Sequence, residues 1–257
     1  MRLCWVLSDY VEYALSFVHC GLVLGRRGSG KTLFALQSLL SGVRRGEPGI
    51  FVTFDQSFDQ VFQQSAFFGW DIPALQEQNL LRVASHTAED LLHNGRVEVD
   101  RFLDRLRILA AQIKARNIVF DSFQVLFTLL SDRAREIEET FRLRDWLFEN
   151  GLTGIVTADV VEDMSSKVPR YAFMQFMADC VVALDFQQGG EQFQRALRLV
   201  KYRGEMTFGP EVPFQIRANV LGCLDILRCR ATRAHKPEMS HCQSRTTSLC
   251  RGRACTA

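Results

Sequence analysis

The sequence predicts an α/β protein, a mainly parallel sheet flanked by helices with an antiparallel extension at its C-terminal side. Three observations predict it. Short apolar runs alternate with amphipathic segments as far as residue 158, the pattern of strand–helix–strand units. A glycine-rich loop at 25–32, GRRGSGKT, joins the first apolar run to the first amphipathic segment. Beyond residue 180 the alternation gives way to three consecutive strand-like segments with glycine turns between them.

The elements follow in order. CGLVL at 20–24 reads as a buried strand. Residues 31–43 place Leu33, Leu36, Leu39 and Leu40 on one helical face, and Gly46, Pro48 and Gly49 punctuate the chain after it. IFVTF at 50–54 is a second strand, 58–68 a helix stopped by Gly69-Trp70-Asp71, and 80–84 a weaker strand. Residues 99–115 form a helix with Phe102, Leu106, Leu109 and Ile113 at helical spacing. Then come a strand at 118–120 ending in Asp121, a helix at 137–149 and a strand at 153–158. The last segments, 180–186, 193–202 and 212–216, are separated by Gly189-Gly190 and Gly209-Pro210 and extend the sheet in antiparallel fashion.

Composition sets outer bounds. With 257 residues, 47% hydrophobic and 23% charged, the chain can bury a substantial core. Residues 228–257 hold seven Lys/Arg against one acid, Glu238, so this tail carries +6 and the rest −4 of the net +2. Such a tail is expected to be disordered, because it cannot bury enough apolar area to offset ordering. None of the eight cysteines (Cys4, Cys20, Cys180, Cys223, Cys229, Cys242, Cys250 and Cys255) falls in a CxxC pair, and His241-Cys242 and Cys250–Cys255 lack zinc-ligand spacing. Cys20 and Cys180 sit in apolar runs and read as buried thiols. A reduced, cytoplasmic protein is the simplest account. Asp9 and Glu12 interrupt the N-terminal apolar residues, which argues against a signal peptide, and no run reaches the roughly 18 apolar residues of a membrane span.

The loop Gly25-Arg26-Arg27-Gly28-Ser29-Gly30-Lys31-Thr32 matches G-x-x-x-x-G-K-[ST]. The pattern arises by chance in roughly 1% of chains this long, taking glycine at about 7%. Glycines let the backbone wrap phosphates and aim several N–H groups inward. The helix that starts there points its positive end at the same anion. Lys31 would reach the β- and γ-phosphates and Thr32 would hold Mg²⁺, so ATP and Mg²⁺ are the expected ligands, with Gly25, Gly28, Ser29 and Gly30 lining the phosphates. The surfaces of Arg26 and Arg27 are expected to face solvent.

Two acids stand where such a site needs them. Asp121 closes the apolar run Ile118-Val119-Phe120. A lone Asp after a strand is most often a turn residue or helix cap, but beside a phosphate loop it is the expected Mg²⁺ partner. Asp55, followed by Gln56, closes the second strand and is placed to orient or deprotonate an attacking water. A capping role for Asp55 is the alternative, since Ser57 and a helix follow. His86 and His93 lie in polar surroundings and are expected to face solvent without a role.

With these residues in place, the sequence resembles KaiC-like ATPases of the RecA superfamily. Four segments carry the resemblance: GRRGSGKTLFALQSLL at 25–40, VTFDQS at 52–57 with SAFFGWD at 65–71, NIVFDS at 117–122, and LVKYRG at 199–204 with PFQI at 213–216. The phosphate loop alone is generic, while the GWD segment and the KYRG…PF ending make the match specific. It covers roughly residues 20–226, and the division it implies is a divergent or truncated lead-in at 1–19, a RecA/KaiC-like ATPase domain at 20–227 and the tail at 228–257. The resemblance implies a RecA-like core that assembles as a homo-oligomeric ring, a hexamer being one form, with ATP between subunits. It matches Lys201 and Arg203 to the family's basic pair near the neighbouring subunit's γ-phosphate, where such cations stabilise transition-state charge.

Three departures qualify these expectations. Asp55-Gln56 stands where the family usually has two glutamates, and neutral Gln cannot act as a base, so slow hydrolysis is expected. The glycine-rich lead-in that frames the nucleotide in the family is not recognisable in residues 1–19. The circadian clock members carry two such domains and a Ser-Thr phosphorylation pair, whereas this chain has one domain and no adjacent hydroxyls near Gln175-Phe176.

The leading functional expectation is an ATPase that couples Mg-ATP binding and slow hydrolysis to oligomer assembly or signalling, with a protein signalling partner. One alternative is a nucleotide-dependent scaffold with little turnover, favoured by Asp55-Gln56. Another is a DNA-acting recombinase or repair accessory, whose candidate contact is the loop MSSKVPRY at 164–171 with Lys167 and Arg170. DNA binding of that kind would be steeply salt-dependent.

Overall fold

The computed structural model describes residues 19–216 apart from 88, 94–95, 131, 161–171, 190–191, 204–210 and 215. In chain order the elements are β1 (Cys20–Gly25), α1 (Lys31–Arg44), β2 (Gly49–Thr53), α2 (Phe58–Phe67), α3 (Ile72–Glu77), β3 (Leu81–Ser85), β4 (Leu92–His93), β5 (Arg96–Val97) and α4 (Val99–Ile113). They continue with β6 (Asn117–Asp121), α5 (Gln124–Leu129), α6 (Arg133–Glu149), β7 (Thr153–Asp159), α7 (Met174–Met177), β8 (Cys180–Gly189), β9 (Gln192–Tyr202) and β10 (Val212–Phe214). β4 and β5 form a separate small ribbon.

The large sheet has eight strands in the order β10-β9-β8-β1-β7-β6-β2-β3. From β3 across to β8 all neighbours are parallel, and β9 then runs antiparallel to both β8 and β10. This is the α/β, RecA-like arrangement with an antiparallel C-terminal extension that the sequence predicts.

Side-chain alternation explains why the sheet is covered on both faces. Along β1, Leu22 and Leu24 pack into one core while Val23 packs into the other. Ile50 and Val52 in β2 oppose Phe51, and Ile118 and Phe120 in β6 oppose Val119, in the same manner. Central strands therefore read as unbroken apolar runs, because successive side chains point to opposite faces and both are dry. One core takes α4, α5, α6 and α7, with Phe102, Phe123, Phe127 and Trp146. The other takes α1, α2 and α3, with Leu36, Leu39, Phe68 and Trp70. Each fully buried Phe or Leu contributes roughly 1.5–3 kcal/mol.

Element ends shifted for local reasons. α6 starts at Arg133 rather than 137, because the Asp132 carboxylate accepts from the Ala134 amide and caps the helix. In the GWD segment, Gly69 has φ 74° and lets the chain turn so that Trp70 lies 5.3 Å from Phe68. Asp71 then caps α3 by accepting from the Ala74 amide at 3.0 Å. α3, α5 and α7, of four to six residues, are too short for sequence periodicity to show. Cys20 and Cys180 are buried free thiols, as expected, and burial pushes both up to about 12. Among the described residues no helix is long and apolar enough to cross a membrane. The lead-in up to residue 18, the loop at 164–171 and the tail at 228–257 lie outside the described residues.

Candidate functional site

Parallel register brings four strand ends to one edge. Gly25 at the end of β1 pairs with Asp159 at the end of β7, and Thr53 at the end of β2 pairs with Asp121 at the end of β6. In open α/β sheets ligands bind outside these carboxyl ends, and the phosphate loop leaves β1 there.

Gly25 has no room for a side chain, since a Cβ would strike the Ser29 hydroxyl and the Leu184 carbonyl. The Ser29 amide donates to the Arg26 carbonyl at 3.1 Å and closes the loop. Gly30, at φ 103°, sits in the left-handed region that ordinary side chains avoid. A Cβ there would also meet Ile216 at 2.6 Å. Its carbonyl accepts from the Phe34 amide at 2.9 Å, so α1 starts immediately behind the loop. Gly28, with φ 79°, has open space where a Cβ would stand. Ser29 is fully buried and its hydroxyl has no partner among the described residues.

Lys31 is buried, at 8% exposure. Its ammonium donates to the carbonyls of Gly25 at 3.0 Å and Arg26 at 3.1 Å. It also pairs with Asp159 Oδ1 at 2.7 Å. Thr32, one residue on, donates from Oγ1 to Asp121 Oδ2 at 3.0 Å. The other Asp121 oxygen accepts from Thr157 Oγ1 at 2.7 Å, and that hydroxyl in turn accepts from the Ser122 amide at 2.8 Å. Ser122 has φ 63°, the backbone turn that aims its amide back at β7. Asp121 is 1% exposed. Burial pushes its carboxyl up to about 6, the Asp55 charge adds to this, and the bonds from Thr157 and Thr32 and the charge of Lys31 oppose it.

Asp55 is exposed at the end of β2 and accepts from Thr53 Oγ1 at 3.3 Å. It does not cap α2. Ser57 does that, in a reciprocal box with Gln60. The Gln56 carbonyl accepts from Ser85 Oγ at 2.7 Å, while its side-chain Oε1 is buried without a partner among the described residues. Lys201 and Arg203 stand elsewhere. Lys201 pairs in register with Val181, at the end of β8 that lies beside the start of β1, about 10 Å along the sheet from the start of the loop of the same chain. Lys201 donates to the Gln175 carbonyl at 2.6 Å and Arg203 to Asp179 Oδ1 at 3.2 Å. Burial and the neighbouring Arg203 lower the Lys201 pKa.

Asp159, Thr157, Gln124, Arg195 and Ile216 also frame the site, and sequence reasoning did not single them out as site residues. Asp159 Oδ2 faces Arg27 Nε at 3.5 Å, and its amide donates to Gln124 Oε1 at 3.2 Å. Arg195 lies 5.0 Å over the Phe186 ring and donates to the Gly28 carbonyl at 3.3 Å. An acid closing an apolar strand was the signal that picked Asp55 and Asp121. The same signal, with the strand read one residue longer, picks Asp159. Arg26 and Arg27 face solvent as expected. His86 does not. Its ring lies edge-on to Phe102 at 5.2 Å, half-buried, and burial lowers its pKa. The polar sequence around His86 hides that contact because Phe102 comes from α4.

The donor set fits a nucleotide with Mg²⁺. Mg²⁺ takes one or two protein oxygens and completes its octahedron with phosphate and water. Thr32 Oγ1 and Asp121 Oδ2 are such a pair, and the Ser29 hydroxyl adds a buried polar group within the loop.

Comparison with known proteins agrees with this geometry. The family model described as "ATPase: KaiC" matches residues 15–228. The circadian clock protein KaiC2 of Synechocystis is 32% identical over 208 residues, covering 80% of this chain and 36% of that protein. The circadian clock protein KaiC3 of the same organism is 33% identical over 198 residues, covering 76% and 39%. The circadian clock oscillator protein KaiC of Synechococcus elongatus is 29% identical over 235 residues, covering 90% and 45%. The matched region is therefore less than half the length of each of these relatives.

Proposed function

Since this chain belongs to the KaiC ATPase family of the RecA superfamily, we propose that it binds ATP with Mg²⁺ at residues 25–32, hydrolyses it slowly, and couples the nucleotide to assembly of a homo-oligomeric ring and to signalling. The observation that carries the reading is the meeting of Thr32 with Asp121 at 3.0 Å, directly behind a loop whose buried lysine is held at the same strand ends. Lys31 reaches the β- and γ-phosphates, the loop glycines and Ser29 line them, and Thr32 and Asp121 hold the cation. When bound, Mg²⁺ neutralises the charge that develops on the phosphates.

Asp55 orients the attacking water and takes its proton. Its exposure beside Asp121 and its freedom from capping duty support that role. Gln56 offers no second base, which supports slow turnover. Lys201 and Arg203 act on a neighbouring subunit's nucleotide. Their place at the far end of the sheet from their own loop supports action between subunits rather than within one.

Mg²⁺-dependent phosphate release, read with nucleotide binding and oligomer size on wild type, Lys31→Ala and Asp55→Asn, tests the proposal. Wild type releases phosphate, Lys31→Ala binds ATP only weakly and releases none, and Asp55→Asn binds ATP but loses about 10²–10⁴-fold in release. Absence of ATP binding by wild type overturns the proposal. A second reading, a nucleotide-dependent scaffold without turnover, is favoured by the neutral Gln56, and ATP-driven assembly with no phosphate release would establish it.

A further inference from the structure

An ammonium group has three protons to donate, and those of Lys31 have three partners among the described residues. Two are the carbonyls of Gly25 and Arg26, and the third is the Asp159 carboxylate at 2.7 Å. Asp159 also turns its second oxygen toward Arg27 Nε at 3.5 Å. The pair is largely shielded from water, with the Lys31 side chain 8% and the Asp159 side chain 17% exposed. A carboxylate thus sits among the cations of a loop whose backbone is shaped to take phosphate oxygens.

The geometry points to Asp159 as a positioning residue that acts through Lys31, an internal anion that holds the lysine within the loop and competes with the terminal phosphates of the nucleotide for it. This rests on the phosphate-binding reading proposed above. With all three ammonium protons already given to oxygens of the chain, a phosphate oxygen that takes the proton held by Asp159 displaces the carboxylate. The backbone at this point is pinned on both sides. The Asp159 amide donates to Gln124 Oε1 at 3.2 Å, and the Val160 amide donates to the Gly25 carbonyl at 3.2 Å. Departure is therefore a rotation of the Asp159 side chain, and the sheet stays in place. Apparent affinity for any polyphosphate is reduced by the fraction of molecules in which Lys31 has been released. Asp159 sets that fraction.

The test measures equilibrium binding of MgATP and of Mg-tripolyphosphate to the full chain. Wild type, Asp159→Asn, Asp159→Ser, Lys31→Ala and the Lys31→Ala/Asp159→Asn double variant are compared, with thermal melts on each. The two Asp159 variants are expected to bind both ligands at least about tenfold more tightly than wild type. In the Lys31→Ala background the gain is expected to disappear, because the competition runs through that ammonium. A purely structural role predicts weaker binding and a lower melting temperature instead. Equal or weaker binding by folded Asp159 variants, a gain that persists without Lys31, or failure of both variants to fold would each overturn the inference alone, with the binding reading intact wherever wild type binds. If neither wild type nor the Asp159 variants bind either ligand, the inference and the binding reading fall together.

Discussion

Thr32 and Asp121 stand 89 positions apart in the chain, and their side chains meet at 3.0 Å. The hydroxyl at the start of α1 and the carboxylate at the end of β6 are each fixed by an element that is itself buried. Thr157 from a third element, β7, holds the other carboxylate oxygen. The separation of these oxygens is set by the register of β1, β7 and β6.

That burial makes Asp121 a test of linkage. Its folded carboxyl titrates at about 6, against about 3.9 for an exposed Asp. Between these values the folded state binds more protons than the unfolded state, so this group's contribution to stability falls as pH rises through the window. Asp121→Asn removes the buried charge. The variant is expected to be more stable than wild type by roughly 1–3 kcal/mol at pH 8 in the absence of Mg²⁺, and to match wild type below pH 4. Urea unfolding at the two pH values decides it.

Cation binding has the same origin and the opposite use. Mg²⁺ requires the ionised carboxylate, so Mg²⁺-dependent ATP affinity is expected to weaken about tenfold per pH unit below 6. Asp55 raises the Asp121 pKa by its charge. Asp55→Asn should therefore move the midpoint of this dependence to lower pH, read by calorimetric titration of ATP across pH 5–8.

Gly30 is constrained twice. Its φ of 103° excludes ordinary side chains, and Ile216 occupies the space of a Cβ. Gly30→Ala is expected to cost roughly 1–3 kcal/mol of stability and to abolish ATP binding. Ile216→Ala in the same chain relieves only the contact, so binding stays lost. Recovery of binding in the double variant would place the constraint in packing alone.

Ser57 and Asp55 separate cap from chemistry. Ser57→Ala is expected to lower stability by about 0.5–2 kcal/mol and leave the rate of phosphate release nearly unchanged. Asp55→Asn does the reverse. Denaturant midpoints beside single-turnover rates distinguish the two.

In the GWD segment, Trp70 is 5% exposed against Phe68, whereas Phe67 next to it is 72% exposed. Trp70→Ala is expected to cost about 3–5 kcal/mol and Phe67→Ala less than about 0.5 kcal/mol, both from urea midpoints. The contrast shows that three aromatics in four residues serve different ends. Asp71 completes the segment as a helix cap.

Much of the fold was legible in the sequence because the informative interactions are local. Glycine spacing marks the phosphate loop, period-2 and period-3.6 apolar patterns mark strands and helices, and an acid closing an apolar run marks Asp55 and Asp121. Strand bounds moved by a residue at several ends, and that single residue at the end of β7 concealed Asp159. His86 read as a surface residue because its neighbours in the chain are polar, while the ring that covers it arrives from α4. The pairing of Lys31 with Asp159, the bracing of Asp121 by Thr157 and the distance of Lys201 and Arg203 from their own loop depend on the strand order β9-β8-β1-β7-β6. Chain-local patterns carry no information on that order. Strand order follows from which long-range pairing buries both faces of the sheet at once, so local patterns supply the candidate groups, and the packing of distant strands sets which of them touch.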